Sequence, residues 1–190
     1  MKPAVPASLM LLVATPALAH VDPAAHGLVA GLSHPFGGLD HLLAMAAVGV
    51  YAALLGGAAR WALPLGFVAG MTGGFGAALA GLSLPSVEPM IAASVIMLGL
   101  LIAFAARIGP VAASLLVAGA GLFHGHAHGS ELGASDALGF GAGFVIATLA
   151  LHAAGVALGA GLIARARTPA PLLSTLGGLT AASGVALAFG

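Results

Sequence analysis

An all-α, polytopic membrane bundle of about six transmembrane helices, preceded by a cleavable signal peptide, is the fold class this sequence predicts. Three observations predict it. Hydrophobic residues make up 61% of the chain and charged residues 5%, whereas a soluble domain carries roughly a quarter charged residues to wet its surface. Mean hydropathy is +1.15, so lipid must be the solvent for most of the surface. Polar punctuation then recurs at intervals suited to the roughly 20 residues that one span needs.

The N-terminus reads as a secretory signal. Lys2 supplies the positive region, residues 9–14 the short apolar core, and Ala17-Leu18-Ala19 an A-x-A cleavage site. Pro6 and Pro16 break the run, which is too short for a span. The division expected is residues 1–19 as signal peptide and 20–190 as a six-helix transmembrane domain, with His20 as the mature N-terminus.

The six helices are expected at 36–57, 62–82, 87–106, 111–126, 137–164 and 172–189. Between them lie Gly57-Ala58-Ala59-Arg60, Ser83-Leu84-Pro85-Ser86, Arg107-Ile108-Gly109-Pro110, a polar run over 125–136 and a basic stretch over 165–171. Arg60, Arg107, Arg165 and Arg167 fall in the first, third and fifth connections, hence on one side. Glu88, Glu131 and Asp136 fall at the second and fourth, on the other. An excess of arginine marks the cytoplasmic side, and a secreted N-terminus carrying Asp22 and His26 gives the same answer. The expectation is a multi-pass protein of a bacterial cytoplasmic membrane with both termini outside.

Glycine, at 30 residues, is the first compositional oddity. Gly66, Gly70 and Gly74, and Gly139 with Gly143, follow the small-xxx-small spacing that lets helix backbones approach closely in lipid. Leu65-Gly66-Phe67-Val68-Ala69-Gly70 and Leu138-Gly139-Phe140-Gly141-Ala142-Gly143 resemble each other and begin the second and fifth helices. A three-plus-three inverted repeat would place them so.

Histidine is the second oddity. The formal net charge of +0 gives no case for nucleic acid, and the absence of Cys excludes disulfides, iron–sulfur clusters and thiolate metal sites. Against that poverty of polar groups stand eight histidines. They concentrate in Ser33-His34-Pro35-Phe36-Gly37-Gly38-Leu39-Asp40-His41 and in Phe123-His124-Gly125-His126-Ala127-His128-Gly129-Ser130-Glu131. Opposite chain directions bring both segments to the outer side. Ionisable groups in a membrane cost a few kcal/mol each by translocon scales, roughly, and mark a path or a site. Imidazoles with carboxylates and no sulfur suit borderline divalent ions such as Ni²⁺, Co²⁺, Zn²⁺ or Cu²⁺.

Spacing sharpens the assignment. His124 and His128 are four residues apart, so a helix stacks them on one face, and Glu131 follows three residues later. His34 and His41 share a face, but seven helical residues rise about 10.5 Å. They reach one ion only if Gly37-Gly38 breaks the helix, or they serve successive sites. Pro35 makes His34 a pre-helix residue, which leaves Asp40 and His41 as the tighter pair. His152 lies near the bilayer centre, where a lone His serves either as an interhelical hydrogen bond or as a relay point. Asp136 reads as a helix cap, Glu88 as a first-turn anion and Met45 as packing surface.

At these two clusters the chain resembles the HupE/UreJ family of nickel/cobalt permeases. His34 to His41 carries the family's H-x5-D-H pattern, and Phe123 to Glu131 its F-H-G-x-A-H-G-x-E pattern. Ala147-Thr148-Leu149-Ala150-Leu151-His152 is similar to the family's fifth-helix segment. The resemblance covers the chain from signal peptide to sixth helix. It implies secondary, inward permeation of Ni²⁺ or Co²⁺ as cargo, with no prosthetic group, in the service of hydrogenase or urease maturation proteins. The metal ligands it implies are His34, Asp40, His41, His124, His128, Glu131 and His152. His126 occupies the pattern's free position and acquires no role from it. No G-x-x-x-x-G-K-[ST] motif is present, so this chain does not itself use ATP.

Two other classes fit the same residues. His and Asp could hold a Zn²⁺ that activates water in an intramembrane hydrolase, or the cluster could serve a metal sensor or assembly factor. Besides the metal ion and the lipid bilayer, the partners to consider are a second copy of the chain and the maturation proteins. Cellular metal content separates a transporter from its rivals.

Overall fold

Within lipid every backbone N–H and C=O must find its partner inside the segment, so apolar stretches between Gly and Pro breaks become helices. The computed structural model describes residues 27–132, 136–165 and 169–189. The expected signal segment 1–19, together with His20, Asp22, His26 and Arg167, lies outside the described residues. The order is α1 (Leu28–Ser33), a 3-10 turn (His34–Phe36), α2 (Leu39–Leu55), α3 (Ala59–Leu79), α4 (Val87–Ala103), α5 (Pro110–Glu131), α6 (Ala137–Arg165) and α7 (Pro169–Phe189). No strand occurs among the described residues. The chain is an all-helical membrane protein. Large apolar side chains such as Trp61, Leu115, Leu138 and Ile146 face outward, as a lipid-bathed surface requires.

Four helices, α3, α5, α6 and α7, are long and apolar enough to cross a membrane. The pair Leu28–Phe36 and Leu39–Leu55 is bent by 83° and makes a fifth span if counted as one. The remaining helix, α4, is apolar but has 17 residues, about 25 Å at 1.5 Å per residue. All six expected segments are therefore helical, while four or five meet the length of a span.

Two boundaries depart from the sequence reading, both at the histidine segments. The first helix was expected from residue 36; α2 instead begins at Leu39, after α1 and the 3-10 turn. Gly38 is extended, at φ −113° and ψ 123°, and it separates the two helical directions. The polar run over 125–136 was expected to be a connection, but α5 continues through it to Glu131. Its histidines face protein rather than water, so polarity there marks an interior face.

Glycine decides which helices pair. A Cβ on Gly121 would strike the Phe67 carbonyl and Met71 nitrogen, and one on Gly70 the Ala118 carbonyl, which locks α5 to α3. The same reciprocal pattern joins α2 to α6, with Gly49 against the His152 carbonyl and Val156 nitrogen and Gly155 against the Ala46 carbonyl. It joins α1 to α6 once more, with Gly31 against Phe140 and Phe144 and Gly143 against Leu28. Contact numbers rise together in α2/α6 and in α3/α5, so each pair runs parallel; α4 and α7, joined through Gly99 and Gly177, run antiparallel. This is the pairing of an inverted repeat in which α2 corresponds to α5, α3 to α6 and α4 to α7. The sequence match of Gly70 with Gly143 survives in the α1 contact. In the α2 contact the counterpart of Gly70 is Gly155, and that of Phe67 is His152.

The bundle has chemically distinct ends. Arg60 starts α3, Arg165 ends α6, and Arg107 shares a small cavity with the α2–α3 turn at Gly56 and Ala58. The histidine segments, Leu82 and the start of α6 occupy the opposite end. There Asp136 caps α6, accepting from the Gly139 N–H at 3.1 Å.

Candidate metal path

The break after the 3-10 turn gives the site its shape. A Cβ on Gly38 would stand 2.6 Å from Asp40 Oδ1 and 3.1 Å from His41 Nδ1, so the missing side chain leaves room for that pair. Asp40 Oδ1 accepts from the His41 backbone N–H at 2.8 Å and from its Nδ1–H at 2.7 Å. With the Nδ1 proton held by the carboxylate, a neutral His41 presents Nε2 as a lone pair.

That nitrogen meets Nε2 of His128, from α5. The other ring nitrogen of His128, Nδ1, lies 2.7 Å from His34 Nε2 and 3.9 Å from Glu131 Oε2. Donor atoms of His34, His128 and Glu131 all fall within 4.8 Å of one another. The 83° bend is what brings His34 back over α2, with its ring centroid 6.5 Å from that of His41. The residues that a continuous helix would hold a full 10.5 Å apart, about, thus serve one cluster.

His124 lies one turn below His128, its ring centroid 4.8 Å from His41. Its Nε2 is 3.0 Å from Ser94 Oγ on α4, and that hydroxyl donates to the Ile91 carbonyl at 2.7 Å. With its single proton committed, Ser94 accepts from His124 Nε2–H; this network assigns the tautomer and leaves Nδ1 as a buried lone pair with no partner. Burying a polar atom unpaired costs about 1–3 kcal/mol, so the position is maintained against that cost. The imidazoles of His34, His41 and His128, with Asp40 behind His41 and Glu131 beside His128, form a donor set that fits a divalent ion of borderline softness, and His124 adds a nitrogen one turn deeper.

His126 belongs elsewhere. Its Nε2–H donates to the Leu82 carbonyl at 2.7 Å, and it lines a separate cavity with Ala78, Gly81 and Ser130. His152 sits deeper, 1% exposed, and neither ring nitrogen has a hydrogen-bond partner. The interhelical hydrogen bond considered from sequence is therefore absent for this side chain. The Phe67 ring lies between the two deep histidines, 5.5 Å from His124 and 5.2 Å from His152. Phe140 and Phe144 wall the outer cluster, 5.2 Å from His34 and 4.7 Å from His128.

Exposure falls along this series. The Glu131 side chain is 66% exposed, His34 is intermediate, His128 and His41 are 4% and 6% exposed, and His124 is fully buried. The structure thus brings together His34, Asp40, His41, His124, His128 and Glu131, and sets His152 apart beyond Phe67. Sequence reasoning missed Ser94, Phe67 and the two aromatic wall residues, because each reaches the site through a helix pairing. A lone Ser in the apolar α4 was the available signal for Ser94.

Glu88 lies exposed in the first turn of α4, as expected of an anion there. Met45 is fully buried in the core and contributes packing.

A family model described as "HupE / UreJ protein" matches residues 8–187. Over 181 residues the chain is 45% identical to "Protein HupE" of Rhizobium leguminosarum bv. viciae, an alignment covering 94% of each chain. No solved structure matches.

Proposed function

The chain belongs to the HupE/UreJ family, and on that premise we propose that it is a secondary permease carrying Ni²⁺ or Co²⁺ into the cell. Its ligands are His34, Asp40, His41, His124, His128 and Glu131 at the outer end, with His152 as a relay beyond them. The observation that carries this reading is the position of His128. One imidazole faces His34 through Nδ1 and His41 through Nε2, and Asp40 orients the second of these. Such a ring can take an ion from the exposed Glu131 side and pass it toward the buried His124.

The ion is cargo. Arriving hydrated at Glu131, it exchanges water for imidazole stepwise, and neutral rings with a carboxylate behind them offset its charge. Descent into a dry interior is favourable only while ligands replace water at every stage. The arginine end faces the cytoplasm, α4 is the sixth span, and residues 1–19 are removed on export. The cargo then supplies hydrogenase or urease maturation.

Cells with and without the gene, grown under nickel limitation, provide the test. Higher cellular nickel or cobalt in the presence of the gene is expected. An intramembrane zinc hydrolase or a metal sensor would leave metal content unchanged, and that outcome would replace permeation with one of those readings.

A further inference from the structure

His152 occupies the middle of α6 with both ring nitrogens buried and unpartnered. Two groups lie beside it whose chemistry the outer cluster does not use. Thr148, one turn earlier on α6 and fully buried, directs its hydroxyl to Met71 Sδ on α3 at 3.6 Å. Phe67, one turn before Met71, sets its ring edge-on to His152 at 5.2 Å. The two helix faces therefore meet as Phe67 with His152 and Met71 with Thr148, which brings a thioether and a hydroxyl within one turn, about 6 Å of rise, of a bare imidazole. Met71 is itself 1% exposed, so its sulfur points into protein rather than lipid.

We propose that His152, Met71 and Thr148 form a second, inner metal station, separated from the outer cluster by the Phe67 ring. This rests on the reading of the chain as a metal permease and adds to it the means of the second transfer. His152 supplies imidazole nitrogen, Met71 a soft and polarizable sulfur, and Thr148 a hydroxyl oxygen. The set contains no carboxylate. It holds an ion weakly enough to release it, and its nitrogen and sulfur favour Ni²⁺ or Co²⁺ over the oxygen-seeking Mg²⁺, Ca²⁺ and Mn²⁺. A thioether placed deep, after imidazoles have stripped the water, discriminates where hard ions have nothing to replace hydration.

The experiment uses the full chain in proteoliposomes and in detergent, with Met71→Leu, His152→Gln and the outer variant His128→Ala. Met71→Leu nearly conserves volume, and melting of each purified variant checks the fold. The two inner variants are expected to bind Ni²⁺ in equilibrium dialysis with the wild-type affinity of the outer cluster, while initial ⁶³Ni²⁺ flux falls by about tenfold or more, the range for lost metal-site support. Unchanged flux in both inner variants overturns the inner station. So does loss of equilibrium binding in proportion to flux, because those residues would then support the outer cluster. If His128→Ala retains both binding and flux, the outer site fails, and if the wild-type chain itself passes no ⁶³Ni²⁺, the permease reading fails, each independently of the inner variants.

Discussion

His41 is fixed by Asp40 twice, through its backbone N–H and through Nδ1–H on the same carboxylate oxygen. A carboxylate behind a ligating imidazole sets the tautomer and raises ligand basicity, and its loss typically costs about 10–100-fold in metal affinity. Asp40→Asn keeps the shape and removes the charge. It is expected to lower nickel affinity by that order while leaving membrane abundance unchanged. Wild-type affinity in equilibrium dialysis of the purified variant would show that His41 needs no such partner.

The glycine contacts give a test of the fold free of metal. Gly70→Leu and Gly125→Leu each drive a side chain into the facing backbone of Ala118 or Met71, and overpacking costs about 1–3 kcal/mol or more. Gly73 and Gly119 have nothing within 4 Å of an added Cβ, so Ala there gains helix propensity of up to about 1 kcal/mol. Thermal melts in detergent should fall for the first two variants and hold or rise for the controls. Equal melting of all four would refute the α3–α5 contact.

Much of this was legible in the sequence. The stacking of His124 over His128 and the different direction of His126 follow from helical spacing, and the tightness of the Asp40–His41 pair from their adjacency, whereas the sequence left open whether His126 takes part in binding. The return of His34 depended on a break at Gly37-Gly38, a condition the sequence stated without deciding. The C-terminal turn of α5 was read as a connection because polar residues usually seek water; here they seek one another. Ser94, Phe67 and Met71 were not legible, since α4 and α3 bring them in through pairings that local pattern does not encode.

Acidity acts through the same rings. An ordinary imidazole titrates at about pH 6.5, and only the neutral ring binds metal. Protons therefore compete with metal for the same lone pairs, so affinity declines as falling pH protonates the rings. Initial ⁶³Ni²⁺ uptake at limiting metal, followed from pH 7.5 to pH 5.5 or so, is expected to fall. Uptake that climbs steadily with acidity would replace facilitated passage with proton-driven import.

Orientation follows from the arginine end. A C-terminal alkaline phosphatase fusion is expected to be active and a C-terminal green fluorescent protein fusion dark, since the end of α7 lies at the end of the bundle opposite the arginines, which the proposal places outside. The reverse pattern would invert the bundle and turn the proposed importer around.

The most direct test of the metal path compares three histidines on one helix. His124 and His128 face the cluster, whereas His126 faces the Leu82 carbonyl, roughly 200° from each at 100° per residue. Initial ⁶³Ni²⁺ flux into proteoliposomes, normalised to reconstituted protein, is to be measured for the three Ala variants. His124→Ala and His128→Ala are expected to lose nearly all flux at limiting metal, and His126→Ala to retain most of it. Full flux in both His124→Ala and His128→Ala would contradict the account, because no path through this cluster survives their loss.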